Sequence, residues 1–298
     1  MKGNPHSTLF RPVSGGLIRL QARLTNLVTW PGPAWAGLCG VVASGGFGWQ
    51  GGDFLRLALL ILLVDGGWGT LWAALGSTNW ATPLRRWRKW HYGDPLRRLP
   101  YTLPGSPGDQ ASRWLGQLHA WWRDVFWPTC GAAFSAIAIA LPVTVVLGAL
   151  LGQELLLLSA AAFAAMQLGV AWEGGQGNVA PGWDAVVAVT LPWLAGHAAF
   201  GSLTLSSVGM ALVFALAWGS AWRAGSTWGC TLWVGAQLLA AALLAALYHP
   251  LAAGFLLLLL VPQLALLPWL RRGQPASWYV RHTRPWLMVA MLVAAWVL

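Results

Sequence analysis

One carboxylate lies well inside an apolar stretch, and its residue type and position make it the first candidate for chemistry. Asp65 sits within LALLILLVDGGWGTLWAAL. A charge at that depth in a bilayer is unfavourable unless it is paired, neutralised or faces a cavity. The glycines that follow it predict local unwinding and hydration of the helix. Asp65 is therefore a candidate catalytic or ligand-binding residue, and the alternative is a carboxylate neutralised or hydrogen-bonded within the bundle.

A second candidate is a set of basic residues that suits an anionic headgroup or a diphosphate. Guanidinium groups match phosphate oxygens in a bidentate manner. The same residues are explained without a ligand if they are the positive charges that collect in cytoplasmic loops. Both interpretations stay open. The set consists of Arg85, Arg86, Arg88, Lys89, Arg97, Arg98 and Arg223.

His197, in LPWLAGHAAFG, is the histidine that lies clearly within an apolar segment. A buried neutral imidazole can bond a carbonyl group on a neighbouring helix. It can also be an axial ligand of a tetrapyrrole, which makes His197 a candidate pigment ligand. The 23 tryptophans gather near predicted span ends, where indole rings favour the headgroup zone. Others, such as Trp193 and Trp218, are candidates to line a cavity and stack on a flat or polyene ligand.

The sequence predicts no metal site. Cys39, Cys130 and Cys230 have no CxxC spacing and are interpreted as small apolar residues. No P-loop, GxGxxG, HExxH or GxSxG motif occurs in a supporting context.

Composition indicates which elements must position these residues. The chain has 298 residues, of which 57% are hydrophobic and 9% charged, and its mean hydropathy is +0.59. Such values are typical of a polytopic membrane protein. The net charge of +10 is explained by attraction of loops to anionic lipid headgroups, so we expect no nucleic-acid partner.

The basic residues also predict a topology. Seventeen of the 18 fall into four patches separated by apolar stretches, and Arg56 lies outside them. Nine crossings with a cytoplasmic N-terminus place every patch on one side of the membrane. We expect a prokaryotic inner membrane and no cleaved signal peptide.

This topology predicts a single membrane domain over residues 1–298. It has a basic amphipathic segment at 1–25 and a large Trp/Arg-rich cytoplasmic loop at 77–124, with an amphipathic helix from Asp109 onward. The later spans are predicted at 184–201, 228–247 and 251–270. A last basic loop, up to Arg284, precedes a short final span over 286–298.

Three stretches resemble the UbiA-type prenyltransferase superfamily. They are LPYTLPGS at 99–106, RAGSTW at 223–228, and WYVR at 278–281 leading into the last span. The resemblance implies an all-α, nine-helix transmembrane bundle with functional cytoplasmic loops after the second and sixth helices. Members of that family hold a prenyl diphosphate through Mg²⁺ bound by two aspartate-rich motifs.

The chain departs from the family at those motifs. Only Asp65 stands near the first motif, its i+4 neighbour is Gly69, and no carboxylate follows Ser206. One carboxylate does not anchor two Mg²⁺ ions, which need several oxygen ligands each. The resemblance therefore implies a non-catalytic or strongly diverged member, and Mg²⁺ is not expected.

We expect such a member to bind an isoprenoid-type or pigment-type hydrophobic ligand. It would act alone or as a subunit or assembly factor of a photosynthetic or respiratory membrane complex. The alternative is an enzyme, namely a prenyltransferase or terpene cyclase that uses a prenyl diphosphate. A transporter would show internal repeats, and no convincing similarity exists between the two halves.

Overall fold

The protein is described by a computed structural model over residues 32–87, 103, 105–172 and 181–298. Every regular element in that part of the chain is a helix. Hydrocarbon offers no partners for backbone N–H and C=O groups, so an apolar chain satisfies them within helices. The α-helices are α1 (Pro33–Ser44), α2 (Gly51–Ile61), α3 (Gly69–Ser77), α4 (Ala81–Trp87), α5 (Pro107–Trp121), α6 (Trp127–Leu151), α7 (Gln153–Trp172), α8 (Pro181–Ala185), α9 (Leu191–Phe200), α10 (Leu205–Ala221), α11 (Thr227–Ala246), α12 (Pro250–Ala265), α13 (Leu267–Arg271) and α14 (Ala276–Val297).

Five helical stretches in the described residues are long and apolar enough to cross a membrane, by length and composition. The shorter apolar helices α1 and α10 accompany them. The protein is therefore all-helical and membrane-embedded. The five stretches are Gly51–Ser77, Pro107–Leu151, Gln153–Trp172, Thr227–Ala246 and Pro250–Arg271.

Short π-helical segments interrupt three of the longer helices. They are Leu62–Trp68 between α2 and α3, Trp122–Phe126 between α5 and α6, and Val186–Thr190 between α8 and α9. In a π-helix the hydrogen bonds span five residues, so the helix is locally wider. The expected unwinding after Asp65 is therefore wrong, because the helix continues there in this wider form.

Helices α1 and α9 pack closer than side chains at their contact would allow. A Cβ atom added at Gly40 would overlap the carbonyl oxygen of Trp193, and one added at Gly196 would overlap the carbonyl oxygen of Gly37. Small residues let helix backbones approach closely in a membrane, where van der Waals packing between helices is a main source of stability. We term this contact the α1–α9 seam.

The seam also defines the two ends of the bundle. A Cβ atom at Gly46 would overlap the Phe200 carbonyl oxygen, and one at Gly201 would lie 3.2 Å from Ser44. The helices α1 and α9 therefore run parallel and finish at the same level, termed the distal end. Helix α10 leads from there to the opposite end, where Arg223 lies in the turn before α11. This opposite end is termed the basic end.

An aromatic cluster ties α4 and α5 together. The indole Nε1 of Trp121 donates a 3.0 Å hydrogen bond to the Pro83 carbonyl, and the Trp87 ring makes edge contacts with Trp114 and Trp121. The amphipathic helix predicted from Asp109 onward begins at Pro107 and continues into α6. Trp114 stays 53% exposed, which suits a position among lipid headgroups.

The final helix is longer than the sequence predicted. Its first residue is Ala276, and it continues through Pro285 to Val297. A proline removes its own backbone donor, and membrane helices tolerate this loss when their surroundings compensate. Arg284 is consequently a residue of a helix, and the expectation that it belongs to a basic loop is wrong.

The seam gives a test of the fold. We expect Gly196→Ala to destabilise the protein by about 1–3 kcal/mol, because the added methyl group forces the two backbones apart. Thermal unfolding in mild detergent measures the effect. Gly235→Ala on α11 is the matched control, because a Cβ atom there meets open space. Equal stability of the two variants would contradict the close packing of α1 and α9.

Candidate functional site

Asp65 lies fully buried in the π-helical segment Leu62–Trp68. Its Oδ1 atom would be 3.7 Å from a Cβ atom added to Gly32, the residue that precedes α1. The first N–H groups of a helix have no acceptor within it, and the helix dipole places partial positive charge there. A position beside the start of α1 is thus electrostatically suited to a carboxylate. A catalytic or ligand-binding role for Asp65 stays a prediction.

Asp184 is a second buried carboxylate, in the first turn of the helical stretch over 181–200. It is 8% exposed, and its Oδ1 atom accepts a 2.9 Å hydrogen bond from the Trp72 indole of α3. The Trp183 and Trp72 rings both pack on Gly169 of α7, where a Cβ atom would lie 3.2 and 3.3 Å from them. The absence of a side chain at Gly169 therefore lets three helices meet beside the carboxylate.

Arg284 of α14 supplies positive charge to the same interior. Its guanidinium group interacts electrostatically with the Asp184 carboxylate. The two groups form no direct ion pair, since none of their N···O distances is 4.0 Å or shorter. The guanidinium carbon lies 4.8 Å from the centroid of the Trp218 ring, which is a cation–π contact. Residues of α8, α10 and α14 thus share one charged interior.

Buried N–H donors in this interior have no acceptor among the described residues. They include Nε of Arg284 and the indole Nε1 atoms of Trp218 and Trp222. Trp222 directly follows the last residue of α10 and comes four residues after Trp218. A buried donor without a partner is unfavourable by roughly 1–3 kcal/mol, and such donors are uncommon. This interior is therefore suited to a ligand that carries hydrogen-bond acceptors.

Both ring nitrogens of His197 are engaged by protein groups. Its Nδ1 lies 3.0 Å from the Ser207 hydroxyl, and its Nε2 lies 2.9 Å from the Ser202 carbonyl. A carbonyl can only accept, so a neutral ring carries its proton on Nε2 and accepts from Ser207 at Nδ1. A pigment metal would have to displace one of these bonds. Axial ligation by His197 stays a prediction.

Trp193 belongs to the packed core near this histidine. It is 0% exposed, stacks on Phe214 with ring centroids 6.0 Å apart, and donates a 2.9 Å hydrogen bond to Ser207. Of the two tryptophans singled out in the sequence as ligand-stacking candidates, Trp218 is the one that lies against a charged group.

The basic residues predicted to bind a ligand fall outside this interior where they are described. Arg85 and Arg86 are exposed in the last turn of α4, and Arg223 is exposed in the turn between α10 and α11. Exposure suits lipid headgroups and a soluble anion equally, so the diphosphate role stays a prediction. The members that lie outside the described residues are Arg88, Lys89, Arg97 and Arg98.

A separate polar contact joins α11, α12 and α14. The Gln263 amide donates 2.9 Å hydrogen bonds to the Gln237 side chain and to the Leu259 carbonyl, and Tyr279 donates to the Gln263 carbonyl at 3.1 Å. Amide and hydroxyl bonds of this kind hold membrane helices together. We interpret this cluster as structural.

The described residues offer no set of metal ligands. Among residues 32–87, 105–172 and 181–298, no group of three or more His, Cys, Asp or Glu side chains could hold a metal ion. Mg²⁺ takes octahedral oxygen coordination and is usually anchored by carboxylates. The described part of the chain therefore does not fit that ion.

Asp184 and Arg284 were missed as site residues in the sequence. Asp184 was placed at the edge of a span and Arg284 in a basic loop, positions where charges need no special explanation. A usable signal was present for Asp184, because it directly precedes the apolar run AVVAVTLPWLAG. For Arg284, the neighbouring basic residues Arg271, Arg272 and Arg281 favoured a loop, and no signal pointed to a buried position.

A double-mutant cycle tests whether the Asp184–Arg284 interaction supports the fold. We expect Asp184→Ala and Arg284→Met each to lower the stability, because each leaves an uncompensated charge in an apolar interior. The double variant should lose less than the sum of the two, with a coupling of about 0.5–3 kcal/mol. Unfolding by a denaturing detergent gives the four stabilities. Strict additivity would show that the two charges do not interact.

The candidate site thus combines two opposite charges that are not directly paired, Asp184 and Arg284, with the indole rings of Trp72 and Trp218. No family model, curated protein or solved structure matches this chain. Its function must therefore be argued from these side chains.

Proposed function

We propose that this protein binds a hydrophobic ligand of the isoprenoid or pigment type within the membrane. The observation that carries the proposal is the buried pair of donors, Arg284 Nε and Trp218 Nε1, without acceptors among the described residues. An interior built for packing alone would place apolar groups there. Retaining a guanidinium group among tryptophans is unfavourable for folding and is explained by a ligand.

The surroundings of Arg284 support a lipid-soluble ligand. Trp218, which lies against Arg284, is 7% exposed, and Trp72, which bonds Asp184, is 2% exposed. Indole rings offer large flat apolar surfaces for stacking and a polar N–H group at one edge. Such a setting suits a molecule with a hydrophobic body and a small polar head.

We further propose a nine-helix bundle that resembles the UbiA superfamily, with the basic end in the cytoplasm of a prokaryotic cell. The exposed Arg85, Arg86 and Arg223 at that end support this orientation through the positive-inside rule. In this proposal the protein is a non-catalytic or diverged member of that superfamily. It works alone or as a subunit or assembly factor of a photosynthetic or respiratory membrane complex.

Identification of co-purifying compounds tests the proposal. Protein purified in mild detergent should yield a lipid-soluble compound near stoichiometric amount by mass spectrometry of an organic extract. Arg284→Met should lower its occupancy, because the polar head loses its donor. Arg281→Met is the matched control, since Arg281 is exposed on the same helix. The absence of any bound compound from the wild-type protein would argue against this function. Unchanged occupancy in Arg284→Met would do so as well.

An enzymatic assay examines the alternative. The protein is incubated with labelled prenyl diphosphates, with and without Mg²⁺. We expect no transfer or cyclisation. Metal-dependent turnover that disappears in Asp65→Ala would replace the binding function by prenyl transfer.

A further inference from the structure

We propose that Arg284 and Trp218 bind the carbonyl oxygen of an uncharged, flat, lipid-soluble molecule of the quinone type. This inference rests on the function proposed above and specifies the polar head that the site recognises. It is carried by the donors of the two side chains, by the charge balance around them and by their depth in the bundle.

Arg284 and Trp218 place two hydrogen-bond donors close together. The guanidinium group lies 4.8 Å from the centroid of the Trp218 ring, so the two side chains form one unit. Each of them keeps a buried N–H group without an acceptor, Nε in Arg284 and Nε1 in Trp218. Neither group can accept a hydrogen bond in return. The complementary ligand atom is therefore an acceptor; a carbonyl oxygen fits best, because a hydroxyl oxygen would also bring a donor that these two groups cannot accept.

The charge balance distinguishes a carbonyl from an anion. The Asp184 carboxylate, bonded to Trp72 and buried in the same interior, partly offsets the positive charge of Arg284 without a direct ion pair. The 2.9 Å hydrogen bond from the Trp72 indole holds the Asp184 carboxylate in position. An added carboxylate or phosphate would meet the Asp184 charge in a medium of low dielectric constant, where like charges repel strongly. A neutral carbonyl accepts the same hydrogen bonds without that repulsion.

The depth of the site favours a molecule dissolved in the bilayer. Arg284 lies eight residues after Ala276, the first residue of α14. At 1.5 Å per residue, this places it about 12 Å along the helix from the basic end. A ligand with a flat ring can reach this level from the hydrocarbon and stack on indole faces. The ester carbonyl of a glycerolipid has the same acceptor chemistry but no flat ring.

Binding measurements with defined probes separate these possibilities. The probes are decylubiquinone, its reduced quinol, a short-chain diacylglycerol and farnesyl diphosphate, each added to detergent-solubilised protein. Decylubiquinone should bind most tightly, and reduction to the quinol should weaken binding because each hydroxyl group adds a donor that Arg284 and Trp218 cannot accept. Tighter binding of the diacylglycerol or of the diphosphate would overturn the assignment.

Variants of Arg284 and Trp218 test whether these two side chains contribute to decylubiquinone binding. Arg284→Lys keeps the positive charge but removes Nε, and Trp218→Phe keeps an aromatic ring but removes its N–H. Each should weaken decylubiquinone binding about tenfold or more, as expected for a lost hydrogen bond to a buried group. Arg281→Met and Trp228→Phe are controls at exposed positions and should bind normally. Trp218→Phe retains both charges, so it stays informative if Arg284 variants fold poorly.

The outcomes also separate this inference from the proposed function. If a lipid-soluble compound co-purifies but its binding is unchanged in both site variants, the protein binds ligands and this site assignment is wrong. If no compound co-purifies and no probe binds, both proposals are wrong.

Discussion

The contact that organises the described structure is the seam between α1 and α9. Glycines let the two backbones touch, with the Gly40 position against the Trp193 carbonyl and the Gly196 position against the Gly37 carbonyl. Because the contact involves backbone on both sides, neither helix can slide or rotate without a clash. The seam therefore fixes two further positions. It brings the start of α1 to Asp65, and it holds the helical stretch over 181–200 that carries Asp184 at its beginning.

The two ends of the bundle differ in how completely their polar side chains are hydrogen-bonded. At the distal end they are satisfied locally, since Arg56 donates to the Leu151 carbonyl and Asp53 accepts from the Gly48 and Gln50 N–H groups. Nearby, His197 is bonded at both nitrogens. Towards the basic end, indole and guanidinium donors are buried without acceptors. These open donors are the basis of the ligand site proposed above, although other buried polar atoms, such as Thr190 Oγ1 and Gln237 Nε2, also have no partner among the described residues.

Helix positions followed from local sequence, whereas the site depended on which helices are neighbours. The spans predicted at 228–247 and 251–270 agree within a residue with Thr227–Ala246 and Pro250–Arg271, because turns rich in Gly, Pro and polar residues bound each apolar run. The electrostatic interaction of Asp184 with Arg284 involves residues 100 positions apart, and no local sequence pattern indicates it. The π-helical form around Asp65 was also beyond the sequence. Two adjacent glycines are compatible with unwinding and with a wider helix alike, and packing against Thr144 accompanies the wider helix.

The charges of this protein therefore divide into two groups with different tasks. Exposed arginines at the basic end carry an excess of positive charge and suit anionic headgroups. Water and salt screen the interactions of these exposed charges. The partly buried guanidinium of Arg284 shares its interior with the Asp184 carboxylate, which partly offsets its charge without a direct ion pair. A diphosphate needs the opposite arrangement, with surplus positive charge or metal ions deep in the bundle. The proposed recognition of a neutral polar head by hydrogen bonds would use the interior charges, whereas the exposed arginines bear on the orientation of the chain in the membrane.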